Sequence, residues 1–273
     1  MGNSFTAHQI DGVLYYTADA FSETGRIIHA FSARKGGVST GKYESLNMSL
    51  LTADDRENVL ANRRRLCQVI GVEPADLTGA QQVHGDQIYH VGLKDKGAGA
   101  LVPGTSIAAV DALITKERGI PLVLFFADCV PVFFLDPVRQ IVALAHAGWK
   151  GTVAGITAKT VRAMRENYGS DPRDILAAVG PSIGPCHYEV DGPVIDAIKE
   201  AFPGNDPGLL SPSDKAGHAQ LNLWLANTVQ LLEEGLPQDN ISVAGLCTYC
   251  LGDSFFSHRR GMAGRQAAII MLK

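Results

Sequence analysis

Two apolar runs joined by a short polar segment constrain the fold of this chain more than any other feature. The runs cover residues 130–135 and 141–145, and residues 136–140 join them. The joining segment begins with Asp-Pro, a dipeptide that commonly initiates turns. The pattern therefore predicts a β-hairpin, and the chain is expected to contain a sheet in which these two strands are neighbours.

The remaining segments alternate between helical and strand-like patterns. Helices are predicted over 54–70, 152–168, 190–202 and 220–236, and the first two end at a glycine. Strands are predicted over 12–16, 27–31, 81–91, 109–115, 120–126, 175–179, 241–246, 255–257 and 266–272. Hairpins mixed with helical crossovers favour an α/β or α+β fold with layers around a mixed sheet, not a doubly wound parallel sheet. Without repeats or a low-complexity linker, residues 1–273 are expected to form a single domain.

Charge and composition exclude several classes of partner. The net charge is −4, so binding of nucleic acid through phosphate neutralisation is not expected. No stretch approaches the roughly 20 apolar residues that span a membrane. The N-terminus also lacks the basic region and apolar run of a secretory signal. Five cysteines at irregular spacing fit reduced thiols, so we expect a cytoplasmic protein. Its oligomeric state is left open.

Cys129 and His146 stand near the open ends of the two hairpin strands. With a two-residue turn at 137–138 they lie directly opposite each other, and a three-residue turn shifts the register by one. Directly paired residues have Cβ atoms about 5 Å apart, which suits a Cys–His catalytic pair or two ligands of one metal. A neighbouring imidazole also lowers the pKa of a thiol. His84, which precedes a glycine, is the best candidate for a third ligand.

Four other chemistry-bearing residues fall in two short motifs. Cys186 and His187 are adjacent and can form a second cluster. Cys247 and Cys250 form a CxxC motif, but the chain has no second CxxC and no thioredoxin-like context before this one. A structural role is therefore favoured over a metal or redox site for this motif.

Several cations are candidates for binding an anion. Lys150 lies in a Gly-Trp-Lys-Gly-Thr segment that leads directly into a predicted helix, where exposed N–H groups attract anions. Arg34, Lys35, Arg259 and Arg260 are further candidates. The chain has no dinucleotide, P-loop or Gly-x-Ser-x-Gly motif.

Longer motifs resemble those of the YfiH/YlmD family. The clearest are Gln-Val-His-Gly at 82–85, Ala-Asp-Cys-Val-Pro-Val at 127–132, Ala-His-Ala-Gly-Trp-Lys-Gly-Thr at 145–152 and Gly-Pro-Ser-Ile-Gly-Pro-Cys-His-Tyr-Glu-Val at 180–190. Residues 31–39, 45–47, 111–115, 255–260 and 264–265 also match. The resemblance covers nearly the whole chain. His258, where the family commonly has tyrosine, and a short loop before Gly264 depart from the pattern and leave substrate preference open.

The resemblance implies a layered α/β/β/α sandwich and a nucleoside-processing enzyme. Members are associated with phosphorolysis of adenosine, inosine and methylthioadenosine, and with deamination of adenosine. By resemblance, the metal ligands are His84, Cys129 and His146. The older family label of multicopper polyphenol oxidase fits poorly, because eight scattered histidines without a His-x-His pair are a poor supply of copper ligands. A single His/Cys/His site with an open position suits zinc, with copper as the alternative metal.

Further roles follow as expectations for a phosphorylase with a metal site. Asp128, beside Cys129, is expected to assist proton transfer or to orient a ligand. The residues predicted to contact substrate or phosphate are Arg34, Asn47, Lys150 and Arg260. Catalytic roles are assigned to Cys129, His146 and Asp128.

Two other classes of function compete with this hypothesis. Cys129 as nucleophile and His146 as base would make a hydrolase for an amide or a peptidoglycan precursor. The second alternative is a copper-dependent polyphenol oxidase or a metal-binding protein without catalysis. Alkylation distinguishes the metal-dependent phosphorylase from the hydrolase. Bound zinc would protect the Cys129 thiol from alkylation in the phosphorylase, whereas the same thiol would react in the hydrolase.

Overall fold

The computed structural model describes residues 5–204 and 206–273. The prediction that no secretory signal is present rested partly on residues 1–4, which lie outside the described residues. Within the described part, no helix is both long and apolar enough to cross a membrane.

Fifteen strands and seven α-helices form the described chain. The strands are β1 (Phe5–Ile10), β2 (Val13–Ala18), β3 (Ile27–Ser32), β4 (Thr78–Gly79), β5 (Ile88–His90), β6 (Ala112–Thr115), β7 (Leu122–Phe126), β8 (Val130–Asp136), β9 (Ile141–Ala147), β10 (Leu176–Val179), β11 (Glu189–Val190), β12 (Leu210–Pro212), β13 (Ala219–Leu221), β14 (Ile241–Val243) and β15 (Gln266–Leu272). The helices are α1 (Asp19–Glu23), α2 (Arg56–Ile70), α3 (Trp149–Val153), α4 (Ile156–Tyr168), α5 (Gly192–Ala201), α6 (Asp206–Leu209) and α7 (Leu223–Glu233).

Two six-stranded sheets organise these elements. The first has the strand order β1-β2-β3-β15-β7-β4, and the second has the order β14-β10-β8-β9-β6-β5. Both sheets are mixed. In the first sheet β4 is parallel to β7, and in the second sheet β14 is parallel to β10 and β5 is parallel to β6. The other pairs of neighbouring strands, such as β3 with β15 and β8 with β9, are antiparallel. A small third sheet has the order β11-β13-β12.

Three apolar clusters show how the layers stack. One lies between α2 and the first sheet, and includes Leu66 of the helix and Ile269 of β15. A second lies between the two sheets, and a third packs α4, α5 and α7 on the far face of the second sheet. The prediction of a single α/β domain with an α/β/β/α sandwich of mixed sheets is therefore confirmed.

The central hairpin of the second sheet is present, but its register differs from the prediction. Val130 pairs with Ala147 and Asp136 pairs with Ile141, so the turn contains four residues, 137–140. Oδ1 of Asp136 accepts the N–H groups of Val138 and Arg139, 2.9 and 2.8 Å away, which closes this longer turn. His146 therefore pairs with Pro131, and the predicted direct pairing of Cys129 with His146 is wrong. Because the shift is an even number of residues, both side chains still lie on the same face.

The helix predicted over 54–70 is α2 almost as expected. Asp55 caps it by accepting the N–H groups of Glu57 and Asn58, and Gly71 ends it in the left-handed region at φ 74°. The helix predicted over 152–168 is instead two helices, α3 and α4. Gly155, at φ 79°, separates them.

Three other predicted elements differ from the structure. Of the strand predicted over 81–91, only β5 forms. Residues 81–87 are a loop, held by the side chains of Gln82 and Asp111 and by backbone hydrogen bonds at both ends. Residues 255–257 form no strand, although Phe255 and Phe256 are fully buried, so their apolar pattern reflects burial of a loop. The helix predicted from residue 220 begins only after β13, where Oδ1 of Asn222 caps α7 by accepting the N–H of Leu225.

Candidate active site and metal centre

His84, Cys129 and His146 come together at one end of the space between the two sheets. His84 lies in the loop before β5, Cys129 in the turn between β7 and β8, and His146 near the end of β9. Their ligand atoms all lie within 4.8 Å of one another. The two imidazole rings meet edge to face with centroids 4.8 Å apart. The three side chains that the sequence predicts as metal ligands are thus brought together.

Asp111, the residue before β6, holds both histidines in place. Its Oδ1 accepts a hydrogen bond from Nδ1 of His146 at 2.8 Å. The same carboxylate accepts the backbone N–H groups of Val83, His84 and Gly85, at 3.1, 3.0 and 2.7 Å. With Nδ1 of His146 committed to Asp111, its Nε2 is left to face Cys129. A carboxylate bonded to the far nitrogen of a histidine is the usual support of a metal ligand.

The electrostatics of this group favour a thiolate. Burial raises the pKa of Cys129, but the charge and hydrogen bond of His146, helped by His84, lower it below its usual value. Burial lowers the pKa of His146, yet Cys129 and Asp111 together raise it above the ordinary value for histidine. Burial also raises the pKa of Asp111, but the bonds from His146 and Gly85 outweigh this effect and lower it. The thiol is therefore prepared to act as a ligand or as a nucleophile.

The space around the three side chains fits an ion. A Cβ atom at Gly148 would lie 3.0 Å from Sγ of Cys129 and 3.3 Å from Cδ2 of His84, so only glycine leaves this space free. Two imidazoles and a thiolate are donors that zinc prefers, and three protein ligands leave a position open. The donor set therefore fits a metal with one site for a substrate or water.

A cavity of about 490 Å³ opens onto this cluster. Clefts of this size typically hold small-molecule ligands. Its walls combine apolar side chains with hydroxyl, amide and guanidinium groups. They comprise Ser49, Leu51, Thr52, Gln82, His84, Phe125, Ala127, Asp128, Cys129, His146, Ile183, Tyr188, Leu223, His258, Arg259 and Arg265.

Asp128 lines the cavity, but its carboxylate is engaged on both oxygens. Oδ1 accepts the hydroxyl of Thr248 at 2.6 Å, and Oδ2 accepts the hydroxyl of Ser257 at 3.1 Å. The backbone N–H of Arg259 also donates to Oδ2, at 2.7 Å. Of the two predicted roles, these bonds favour positioning over proton transfer, because they join the turn bearing Cys129 to the segment that bears Arg259.

The four residues predicted to contact substrate or phosphate are not among those that line this cavity. Arg34 donates to the carbonyls of Glu44 and Gly252, and Arg260 donates to the carbonyl of Tyr249. The Lys150 ammonium lies 5.7 Å from the centroid of the Trp149 ring. Asn47 is fully buried, and its Oδ1 accepts the N–H of Arg265 at 3.0 Å, so it supports a cavity residue from behind.

The structure also gives roles to three residues that lie within the matched motifs but were not among the predicted site residues. Arg265 lines the cavity together with Arg259, which had been one of several anion candidates. Gln82 exchanges two hydrogen bonds with the backbone of Phe125, each 2.8 Å long, and so anchors the loop of His84 to β7. For Asp111, the available signal was a carboxylate directly before an apolar strand.

Comparison with known proteins decides the family. The model of a family described as multi-copper polyphenol oxidoreductase laccase matches residues 28–273. The chain belongs to this family. Its members include the YfiH and YlmD proteins, as the resemblance of the motifs predicts.

Two relatives, one of them also known as a crystal structure, illustrate the range of names within the laccase-like family. Purine nucleoside phosphorylase YlmD of Geobacillus stearothermophilus is 41% identical over 245 residues, which cover 89% of each chain. An adenosine deaminase from an unknown prokaryotic organism is 34% identical and covers 88% of this chain and 91% of its own. The crystal structure of the Geobacillus YlmD protein superposes with a TM-score of 0.93 at 38% identity, over 99% of both chains.

Proposed function

We propose that this protein is a purine nucleoside phosphorylase. Its reaction would convert inosine, adenosine or methylthioadenosine, together with phosphate, into the free base and a ribose 1-phosphate. The observation that carries the proposal is the pairing of the His84–Cys129–His146 cluster with two arginines in one cavity. A dianionic substrate and a neutral purine can both be bound there.

Phosphate would be bound by Arg265 and Arg259. Charge-assisted hydrogen bonds from guanidinium groups are the usual means of binding phosphate. Arg265 is half-buried, and burial lowers its pKa while the charges of Cys129 and Asp128 raise it. Arg259 is oriented by a bond from Nη1 to the carbonyl of Glu189, and its guanidinium lies 5.2 Å from the centroid of the Tyr188 ring. The phosphate would attack C1′ of the ribose as the bond from C1′ to the base breaks.

The purine and the ribose would contact the remaining walls. Phe125 offers an aromatic ring, and Ile183 and Leu223 add aliphatic surface, which together suit a purine ring. The Ser49 hydroxyl accepts the N–H of Leu51 and keeps its own hydrogen to donate to a polar group of the ribose or base. His258 stands in the wall where the family commonly has tyrosine, so it is expected to influence which purine is preferred.

His84, Cys129 and His146 would hold zinc, with copper as the alternative metal. Bound zinc supplies Lewis-acid activation of water, which hydrolytic deamination of adenosine requires. The name of one relative supports this second activity at the same site. An axial methionine, typical of blue-copper sites, is not among the cavity residues of the described chain. The cluster also faces an open cavity, as expected of catalytic zinc.

A Cys–His hydrolase is the second candidate, and one relationship favours it. Cys129, His146 and Asp111 form a hydrogen-bonded series of nucleophile, base and orienting carboxylate. This candidate differs from the first in its reaction with an alkylating reagent. Zinc would protect Cys129 if the thiolate is a ligand, and would leave it reactive if it is a free nucleophile.

The deciding experiment is chromatographic detection of hypoxanthine released from inosine, with and without phosphate. We expect release that depends on phosphate in the wild type and in Cys67→Ala, whose thiol is buried away from the cavity. Cys129→Ala should release none. Absence of release from the wild type under both conditions would reject the inosine phosphorylase and make the hydrolase the leading hypothesis. Adenosine as substrate, with ammonia as the readout, tests deamination separately.

A further inference from the structure

Three cysteines and a histidine form a second cluster outside the cavity lining. Cys186 and His187 lie in the segment between β10 and β11, and Cys247 and Cys250 follow β14. These two motifs are far apart in sequence, yet their ligand atoms all lie within 4.8 Å of one another. The fold therefore combines two weak sequence signals into one set of four donors.

Two separations within this cluster are close to those of a tetrahedral metal site. Sγ of Cys186 lies 3.5 Å from Sγ of Cys250, and Nδ1 of His187 lies 3.2 Å from the same sulfur. Zinc bound tetrahedrally at the usual bond lengths keeps a sulfur and a nitrogen ligand about 3.5 Å apart and two sulfur ligands about 3.8 Å apart, so both contacts are about 0.3 Å shorter. The four side chains therefore need little rearrangement to surround one ion.

Neighbouring groups orient the donors. The backbone N–H groups of Gly184 and Cys250 both donate to Sγ of Cys247, the first of them across 3.2 Å. Such bonds stabilise a metal-bound thiolate. The His187 ring stacks on Tyr249 with centroids 4.2 Å apart and planes 18° from parallel, which fixes the direction of its nitrogen atoms.

A disulfide explains this arrangement less well. A bond between Cys186 and Cys250 would leave the Cys247 thiol and the His187 ring beside it without a role. It would also require an oxidant, whereas four convergent donors require only the ion. A complete set of three thiolates and one imidazole is typical of structural zinc, because no coordination position stays open.

We propose that Cys186, His187, Cys247 and Cys250 bind a structural zinc ion. This site is separate from the cluster of His84, Cys129 and His146, and the inference does not rest on the proposed phosphorylase activity. The ion would be held by one thiolate and the imidazole from the first segment, and by two thiolates from the second.

The zinc would join two segments that build the cavity. The first carries Ile183 and Tyr188, which line the wall. The second carries Thr248, whose hydroxyl bonds to Asp128 at 2.6 Å. Backbone bonds already link the segments, since Ser182 N–H donates to the carbonyl of Leu246 and Thr248 N–H to the carbonyl of Ser182. The ion would fix the outer end of this link, where Cys186 and Cys250 are exposed.

Metal stoichiometry tests the proposal without any nucleoside. Metal-free protein is reconstituted with excess zinc, desalted, and analysed by elemental mass spectrometry and by native mass spectrometry. We expect two zinc ions per chain in the wild type and in the control Cys67→Ala. Cys250→Ser and Cys129→Ala should each retain one, and the double variant should retain none. Circular dichroism checks that each variant folds.

Cobalt distinguishes the two sites in the folded protein. Cys129→Ala loaded with Co²⁺ should show the intense sulfur-to-cobalt charge-transfer absorption of a tetrahedral site with several thiolates. Cys129→Ala/Cys250→Ser should lose that absorption. The proposal is overturned if wild-type protein binds a single zinc ion and Cys129→Ala binds none. It is also overturned if intact-mass analysis finds a disulfide joining Cys186 to Cys250 after zinc loading under reducing conditions. Native mass spectrometry of the wild type gives this count even if a variant fails to fold.

Discussion

Oδ1 of Asp111 lies 2.8 Å from Nδ1 of His146, and the same carboxylate accepts three consecutive backbone N–H groups of the loop that carries His84. One buried side chain thus sets the position of two of the three donors around the cavity. His84 itself has a φ of 60°, an uncommon conformation for histidine, and the bonds to Asp111 hold it there.

Replacing Asp111 with asparagine should weaken metal binding at the cavity without removing a ligand. The amide puts an N–H group where the loop and His146 need an acceptor, so both donors lose their orientation. We expect zinc affinity to fall roughly 10–100-fold, the usual cost of losing such a support. Competition with a chromophoric chelator in a Cys250→Ser background measures the cavity cluster alone.

Asp136→Asn is the matched control for this substitution. Asp136 is also a buried carboxylate that accepts backbone N–H groups, but it lies in the turn at the other end of the hairpin. An Asp111→Asn variant that folds and retains the affinity of the control would show that Asp111 does not support the metal ligands.

Gly148→Ala should disturb the same cluster by steric contact alone. The backbone at Gly148 has a φ of −70°, which alanine adopts freely, so any effect comes from the added methyl group. That carbon would lie 3.0 Å from Sγ of Cys129. Overpacking of this kind costs about 1–3 kcal/mol, equivalent to roughly a 5–150-fold loss of zinc affinity if it falls on the bound state. The same chelator competition measures it.

Gly192→Ala provides the comparison, because a Cβ atom there meets nothing within 4 Å. Gly192 is the first residue of α5, so alanine should leave zinc affinity unchanged. Equal affinities in the two alanine variants would contradict the view that Gly148 keeps the ion site open.

Arg265→Gln should raise the Michaelis constant for phosphate while leaving the fold intact. A hydrogen bond to a charged group contributes about 1.5–3 kcal/mol, so we expect roughly a 10–150-fold rise. Initial rates over a range of phosphate concentrations at saturating inosine provide the measurement. Arg260→Gln, which removes a cation outside the cavity lining, should change this constant little. A larger effect for Arg260→Gln would restore the assignment made from the sequence.

Stability should fall on mild acidification because of His29. This histidine is buried in β3, its Nε2 accepts the N–H of Ala18 at 2.8 Å, and burial lowers its pKa from 6.5 to about 4. In the unfolded chain this histidine is protonated below about pH 6.5, whereas in the folded chain it is protonated only below about pH 4. The free energy of unfolding therefore decreases as the pH falls from about 6.5 to about 4. This group alone should remove about 2 kcal/mol of unfolding free energy between about pH 7.5 and pH 5.

Urea titrations at the two pH values test this expectation. His29→Gln keeps an acceptor for Ala18 but cannot titrate, so its loss of stability on acidification should be smaller by about that amount. An unchanged pH dependence in His29→Gln would show that other groups cause the loss.

The hairpin and the approach of Cys129 to His146 could be predicted from the sequence because they depend on local pattern, whereas the approach of His84 depends on a loop far from the hairpin in sequence. Apolar runs specify strands, and parity along the strands puts Cys129 and His146 on one face whether the turn has two residues or four. The turn length itself depends on the Asp136 side chain and on Gln140 at a φ of 56°, which no apolar pattern reveals. The sequence therefore predicted the correct face with the wrong register.

The substrate side of the site could not be predicted in the same way. Arg34, Arg260 and Arg265 look alike in sequence, and only the fold decides which guanidinium faces the cavity. Arg265 does so because Asn47, more than 200 residues earlier, accepts its backbone N–H. Likewise, the CxxC motif seemed isolated because its partners Cys186 and His187 approach it only through the pairing of Ser182 with Cys247. Contacts between distant segments were decisive in each case.

The position of β15 has a consequence for how the protein is made. This strand lies between β3 and β7 in the interior of the first sheet, and the hydroxyl of Ser32 bonds to Ala267 across 235 residues of sequence. During synthesis β3 leaves the ribosome before β15. The edge of β3 that pairs with β15 therefore stays unpaired until β15 has been translated. Topologies dominated by such distant pairings fold slowly and expose unpaired strands while they do so. The first sheet should therefore be completed only after β15 has been translated, and until then β3 and β7 each keep one edge unpaired.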